Sequence, residues 1–241
     1  NLTNSSIEPL KRVELMANCN IPFYKGNVGD KRLLVEVFNK HQITAVIHFA
    51  GLKSVSESMK KPIEYYSNNV TQTLSLLESM IDNNIKSFIF SSSATVYGKP
   101  NECPIKESHK IGNTTNPYGT SKFIMELMLS DLCEAYNDLN ITILRYFNPI
   151  GAHESGNIGE HPNGVPNNLF PYLMKVAIGE YPYLNVYGND YSTYDGSGIR
   201  DYIHVVDLAE AHAKALSKNL VVDGLKIYNL GTGKGCSVFE V

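Results

Sequence analysis

Short apolar runs rich in β-branched and aromatic residues recur along the chain: Ala45-Val46-Ile47-His48-Phe49, Ser87-Phe88-Ile89-Phe90-Ser91, Ile141-Thr142-Ile143-Leu144-Arg145 and Lys226-Ile227-Tyr228-Asn229. Each reads as a strand buried on both faces. Helical patterns lie between them. The clearest sets Tyr66, Val70, Leu74, Leu77 and Ile81 at steps of three and four, one face of a helix. Further helices are expected over 31–40, 118–136 and 207–217, with Asp207 as a cap that Glu210 completes as a capping box. Strands alternating with helices of this length require βαβ crossovers, so the expected fold class is α/β, a doubly wound, Rossmann-like parallel sheet. From about Gly151 the texture changes to clusters of Gly, Pro and Asn (Gly156, Gly159, Pro162, Gly164, Pro166), as in a smaller loop-rich lobe that shapes a pocket.

Ligands of such sheets bind beyond the carboxyl ends of the strands. The residues to inspect are therefore Ala50-Gly51-Leu52-Lys53, Ser91-Ser92-Ser93-Ala94-Thr95 and Phe147-Asn148-Pro149.

Composition narrows the class of partner. With 241 residues, 43% hydrophobic and 19% charged, the chain can bury a core, and a disordered, collagen-like or coiled-coil chain is excluded. A formal net charge of -3 gives no basic footprint for nucleic acid or an anionic membrane, so a small-molecule partner is expected. No stretch has the length of a membrane span, and Asn1 to Ser6 lack the features of a signal peptide. Cys19, Cys103, Cys133 and Cys236 are widely spaced without C-x-x-C, which suggests neither a zinc site nor a disulfide framework but reduced thiols in a cytoplasmic protein. The chain opens without Met and stops at Val241 just as Ser237 looks ready to cap a helical turn, so a piece of a longer protein is expected.

The most informative residues are Tyr118-Gly119-Thr120-Ser121-Lys122, after Asn116-Pro117. Pro117 fits a first helical turn, and a spacing of four puts phenol and ammonium on one helix face. An adjacent cation favours the phenolate, so Lys122 is expected to make Tyr118 a usable base, and a hydroxyl at a strand end, Ser93, could complete the set. Taken alone the pair is weak evidence in a chain with fifteen tyrosines, where a surface Tyr and a solvated Lys explain most such spacings. The Ser cluster ending the preceding strand, the helix start and the α/β pattern change that weighting.

Phe90-Ser91-Ser92-Ser93-Ala94-Thr95-Val96-Tyr97-Gly98 followed by Asn116 to Lys122 resembles the extended short-chain dehydrogenase/reductase family. Within it, His48 to Lys53, Leu144 to Pro149, Pro166-Asn167-Asn168-Leu169, Gly188 to Tyr191 and Arg200-Asp201-Tyr202-Ile203-His204-Val205 resemble the epimerases that interconvert UDP-glucose and UDP-galactose. The texture is similar to their fungal branch, where a mutarotase domain can be fused. The resemblance implies Ser93, Tyr118 and Lys122 as catalytic residues and NAD as a cofactor that stays bound between turnovers. Cofactor contacts are implied at Asn1, Leu2, Asn4, Ser5, Asn27, Val28, Phe49, Ala50, Gly51, Lys53, Asn68, Tyr146 and Phe147, and UDP-sugar contacts at Asn148, Asn168, Leu169, Asn185, Tyr187 and Arg200. It also implies a partial NAD-binding domain over 1–150, a partial UDP-sugar lobe over 151–241 with a strand and helix around 199–217 returning to the first domain, and a homodimer of the parent protein.

Departures accompany the matches. Asn27 stands where the family usually has Asp, so the adenine contact loses its charge. The family's glycine-rich strand-turn-helix falls before Asn1, and by itself the chain is expected to bind NAD poorly. Gly231-Thr232-Gly233-Lys234-Gly235 lacks phosphate-loop spacing and reads as a strand-to-helix turn. The rival within the family is an NDP-sugar dehydratase or decarboxylase, but Ala94 and Thr95 leave a dehydratase no acid after Ser93. A catalytically silent NAD-binding regulator is the rival of another class.

Overall fold

The computed structural model describes every residue except His161, Pro162, Asn163, Val165, Asn167 and Val222, so Pro162 and Asn167 of the motifs above lie outside the described residues. The chain divides into two compact units, one of residues 26–147 and 210–230, the other of 1–25, 148–209 and 231–241.

In the larger unit, α2 (Lys31–Lys40), β1 (Ala45–His48), α3 (Val55–Lys60), α4 (Pro62–Tyr66), α5 (Gln72–Asp82), β2 (Ser87–Ser93), α6 (Pro117–Ala135), β3 (Asn140–Tyr146) and β6 (Gly224–Leu230) follow in chain order. The four strands form one sheet in the order β1-β2-β3-β6, every pair parallel. Parallel pairing demands crossovers, and the helices supply them. Phe88, Phe90, Ile141 and Ile143 pack against Leu76, Leu77 and Met80 of α5 and Met125 and Leu129 of α6. Ile89 and Leu144 form a second cluster with Ala215 and Leu216 of α8 (Val205–Asn219). The sheet is thus covered on both faces, as its apolar runs predict. Complete burial holds for the middle strands β2 and β3 only, because β1 and β6 are the edges and stay half-buried.

The helix across 66–81 corrects the sequence reading. A π-helical turn over Ser67–Thr71 separates α4 from α5. The buried positions are Tyr65, Asn69, Thr73, Leu76, Leu77, Ser79 and Met80, whereas Leu74 is exposed. Three of the inward side chains, Asn69, Thr73 and Ser79, are polar and hydrogen-bonded, so of the expected apolar stripe Val70 and Leu77 face the core while Leu74 does not.

Helix ends follow their local chemistry. Asp30 accepts from the backbone N–H groups of Arg32 and Leu33 at the start of α2. Asn116 Oδ1 accepts from Gly119 N at 2.9 Å with Pro117 at the first helical position of α6.

The smaller unit carries α1 (Glu8–Ala17), β4 (Asn148–Ile150), α7 (Leu169–Ala177), β5 (Ile199–His204) and β7 (Gly235–Ser237). β5 pairs with β4 in parallel and with β7 antiparallel. It therefore pairs here, whereas α8 has residues 210–219 in the larger unit. α8 begins at Val205, with His204 Nδ1 accepting from Val206 N at 3.2 Å, so Asp207 sits in the first turn and is not the cap. The capping box is found instead at Ser237 and Glu240: Ser237 Oγ accepts from Glu240 N at 3.1 Å and the Glu240 carboxylate accepts from Ser237 N at 2.8 Å. Residues 231–234 join strand to strand rather than strand to helix, and Asp201 accepts there from Thr232 N and Gly233 N, each at 2.8 Å.

Candidate active site

Ser93 is the last residue of β2, and Tyr118 the second residue of α6. The Ser93 oxygen accepts from Thr95 N at 3.2 Å and from Thr95 Oγ1 at 3.0 Å. Its own hydroxyl hydrogen is not used by these two contacts, and Ser93 lies near enough to the Tyr118 phenol to act on its pKa. Burial pushes the phenol above its ordinary pKa, and Ser93 opposes this by stabilising the phenolate. Lys122, one turn further along α6, is buried, donates to the Ser91 carbonyl at 2.7 Å and lies 4.7 Å above the Phe90 ring. Burial lowers its pKa to about 8, against the raising effect of Glu126. The pull on the phenol expected from Lys122 therefore comes from Ser93 in this structure, while the ammonium is anchored to the strand.

The loop after β1 is clamped from the π turn. Asn69 donates to the Leu52 carbonyl at 2.9 Å and accepts from Leu52 N at 2.8 Å. It also donates to Ser121 Oγ at 3.1 Å, which in turn donates to the Tyr118 carbonyl at 2.7 Å. At Gly51 a Cβ would stand 3.3 Å from Asn69 Oδ1 and 3.8 Å from Lys122 Nζ, so glycine leaves the backbone bare beside the ammonium. Phe49, Ala50 and Lys53 are exposed around this loop, and Asn68 is half-buried next to Asn69. Phe147 is half-buried after β3 and donates its N–H to the Leu230 carbonyl. Asn27 is exposed and Val28 half-buried just before α2.

Two buried networks escaped the sequence reading. The Glu126 carboxylate accepts from Ser92 Oγ at 2.5 Å and pairs with Arg145, whose Nη2 is 2.6 Å away. Arg145 also donates to the Tyr97 hydroxyl at 2.6 Å, and Tyr97 donates to Asn229 Oδ1 at 2.7 Å. The only signal was a carboxylate four residues after Lys122, which on most helices marks a solvated face. The second network joins Tyr146 to Ser91 and to His212.

In the smaller unit, Asn148 on β4 stands opposite Tyr202 in the β4–β5 register, with Arg200 two residues before Tyr202 on β5. Phe170, directly after Leu169 and Asn168, packs edge-on against Tyr202 at 5.2 Å. These elements bring Asn148, Arg200 and the start of α7 into one neighbourhood. Asn185 and Tyr187 are exposed. Arg200 donates to the Ile199 carbonyl and has no carboxylate partner among the described residues, since Asp201 serves the 232–233 turn. Asn1, Asn4 and Ser5 are exposed and Leu2 is half-buried ahead of α1.

Comparison with known proteins places this geometry in context. Residues 3–231 match the model of the NAD dependent epimerase/dehydratase family. The chain is 57% identical over its whole length to a UDP-glucose 4-epimerase of Pasteurella multocida, covering 71% of that protein, and 54% identical over 97% of its length to that of Bos taurus, covering 67%. Among solved structures, UDP-glucose 4-epimerase from Bifidobacterium longum in complex with NAD+ and UDP superposes with a TM-score of 0.96 at 54% identity, over all of this chain and 71% of that one.

Proposed function

The chain belongs to the NAD dependent epimerase/dehydratase family, and from that membership we propose that it interconverts UDP-glucose and UDP-galactose by transient oxidation at sugar C4, in galactose metabolism. The observation that carries the chemistry is the meeting of Ser93, at the end of β2, with the Tyr118 phenol whose pKa it lowers, with Lys122 one helical turn along.

The residues fit NAD. Gly51 keeps the backbone beside Lys122 free of side chain, and the ammonium, with three donors, spends one on Ser91 among the described residues. Lys122 would hold the nicotinamide ribose, Gly51, Lys53 and Asn68 the stretch toward the pyrophosphate, and Phe49, Ala50, Tyr146 and Phe147 the nicotinamide wall. Asn27 and Val28 would flank the adenine, and Asn1, Leu2, Asn4 and Ser5 its ribose. When bound, NAD supplies the hydride acceptor for sugar C4 and the donor that returns the hydride to the opposite face, so no net redox change results. Tyr118 takes the proton of the sugar 4-hydroxyl and hands it back. Ser93, its oxygen already accepting twice, donates to the oxygen whose charge changes. Arg200 offers the diphosphate a guanidinium, and Asn148, Asn168, Leu169, Asn185 and Tyr187 the remaining contacts to uridine and sugar.

Two further elements belong to the proposal. No described helix is long and apolar enough to cross a membrane, and with four free cysteines the reading is a cytoplasmic protein. Exposed Met59, Ile63, Leu74 and Leu127 on α3 to α6 support a homodimer. The test uses the full-length protein. It should retain NAD through purification, show reduced-nicotinamide absorbance on adding UDP-galactose, and lose turnover by about a thousandfold or more in Tyr118→Phe with UDP binding kept. Undiminished turnover in that variant would remove Tyr118 from the mechanism.

A further inference from the structure

α8 places a buried histidine behind the candidate site. His212 is 5% exposed. Its Nε2 lies 2.5 Å from the Tyr146 hydroxyl, and the two rings meet edge-on at 5.4 Å. On its other side the imidazole packs against Phe49, with centroids 4.9 Å apart. The Tyr146 hydroxyl thus lies between two partners, Ser91 Oγ at 2.7 Å and His212 Nε2, and links the imidazole to β2. Ser91 closes the chain, because its carbonyl anchors the Lys122 ammonium. One imidazole thus braces an aromatic ring beyond β1, a phenol ending β3 and, through Ser91, the residue of β2 that holds the site's cation. An apolar ring of similar size would fill the space without making the hydrogen bond.

We infer that His212 is a positioning residue for the reaction, setting the Tyr146 phenol and the Phe49 ring where cofactor and substrate meet them. The inference rests on the reading of Phe49 and Tyr146 as cofactor wall. It separates two substitutions that a merely space-filling role would treat alike. His212→Phe keeps bulk and loses the hydrogen-bonding nitrogen, whereas His212→Gln keeps an amide that serves Tyr146 as donor or acceptor. In the full-length protein, His212→Phe should lower kcat about tenfold with KM for UDP-galactose changed less than about threefold, and shift the fluorescence of the bound reduced nicotinamide; His212→Gln should recover kcat to within about threefold. In a Tyr146→Phe background, His212→Phe should add less than about twofold. The inference is overturned if His212→Phe matches wild type in kcat and fluorescence, or if His212→Gln is as impaired as His212→Phe. Should His212→Phe fold poorly, His212→Gln decides alone, and a tenfold loss there overturns it. Failure of the wild type itself to retain NAD would instead sink the underlying functional reading.

Discussion

At the scale of single residues, the site is governed by how burial treats two groups on the same face of α6. It raises the pKa of the Tyr118 phenol, against the pull of Ser93, and makes the Lys122 ammonium easier to deprotonate, at about 8. A group whose pKa is depressed loses its charge as pH rises through the lowered value. The basic limb of kcat/KM should therefore begin near pH 8, where the ammonium stops holding its partners. Glu126 raises the Lys122 value, so Glu126→Gln should move that limb to lower pH, read from kcat/KM between pH 6 and 10 in wild type and variant. An unmoved limb would show that Lys122 does not set it. The spacing of Tyr118 and Lys122 was legible in the sequence. That Ser93 acts on the phenol while Lys122 is tied to Ser91 was not, because side-chain partners across strands depend on the sheet's register.

At the scale of elements, the Glu126–Arg145 pair fastens α6 to β3, and through Ser92 to β2, with both charged side chains 2% exposed. Removing one member strands the other charge in the core, so Arg145→Leu should cost about 3–5 kcal/mol of stability. Replacing both by Arg145→Met and Glu126→Leu should cost far less, since no buried charge is left. Urea unfolding of single and double variants separates the cases, and equal losses would mean that packing rather than charge dominates. Element positions were well marked in the sequence: the 31–40 helix is found with those bounds and the long helix is displaced by one residue. Register supplied what the sequence lacked, since only the observed pairing stands Ser92 opposite Arg145. The start of α8 was misread because Asp207 and Glu210 carry the capping-box spacing, yet His204 supplies the acceptor.

At the scale of the molecule, stability should respond to acid through His48. It is buried among Phe88 and Phe90, donates from Nε2 to Thr73 Oγ1 at 2.8 Å, and has its pKa lowered to about 3 by burial and by Lys122. Thr73 gives its own hydrogen to the Asn69 carbonyl, which fixes the histidine as donor. In the unfolded chain His48 takes a proton below about 6.5, and in the folded chain only near 3, so stability present above 6.5 should fall by up to about 1.4 kcal/mol per pH unit as pH drops toward 3. His48→Gln keeps the hydrogen bond and should flatten the decline of the urea midpoint between pH 7 and 5. The doubly covered parallel sheet was legible from the alternation of strands and helices. Less legible was the grouping of residues 1–25 with 148–209 and 231–241, which depends on contacts between distant segments.

The wide turn at Ser67–Thr71 gives that histidine its neighbour. One surplus residue in the coil turns everything after it out of phase with everything before. Within the turn Asn69 reaches the loop after β1, and just past it Thr73 reaches His48. Straightening the rod would restore a tidy greasy stripe and pull both polar hands away from what they hold.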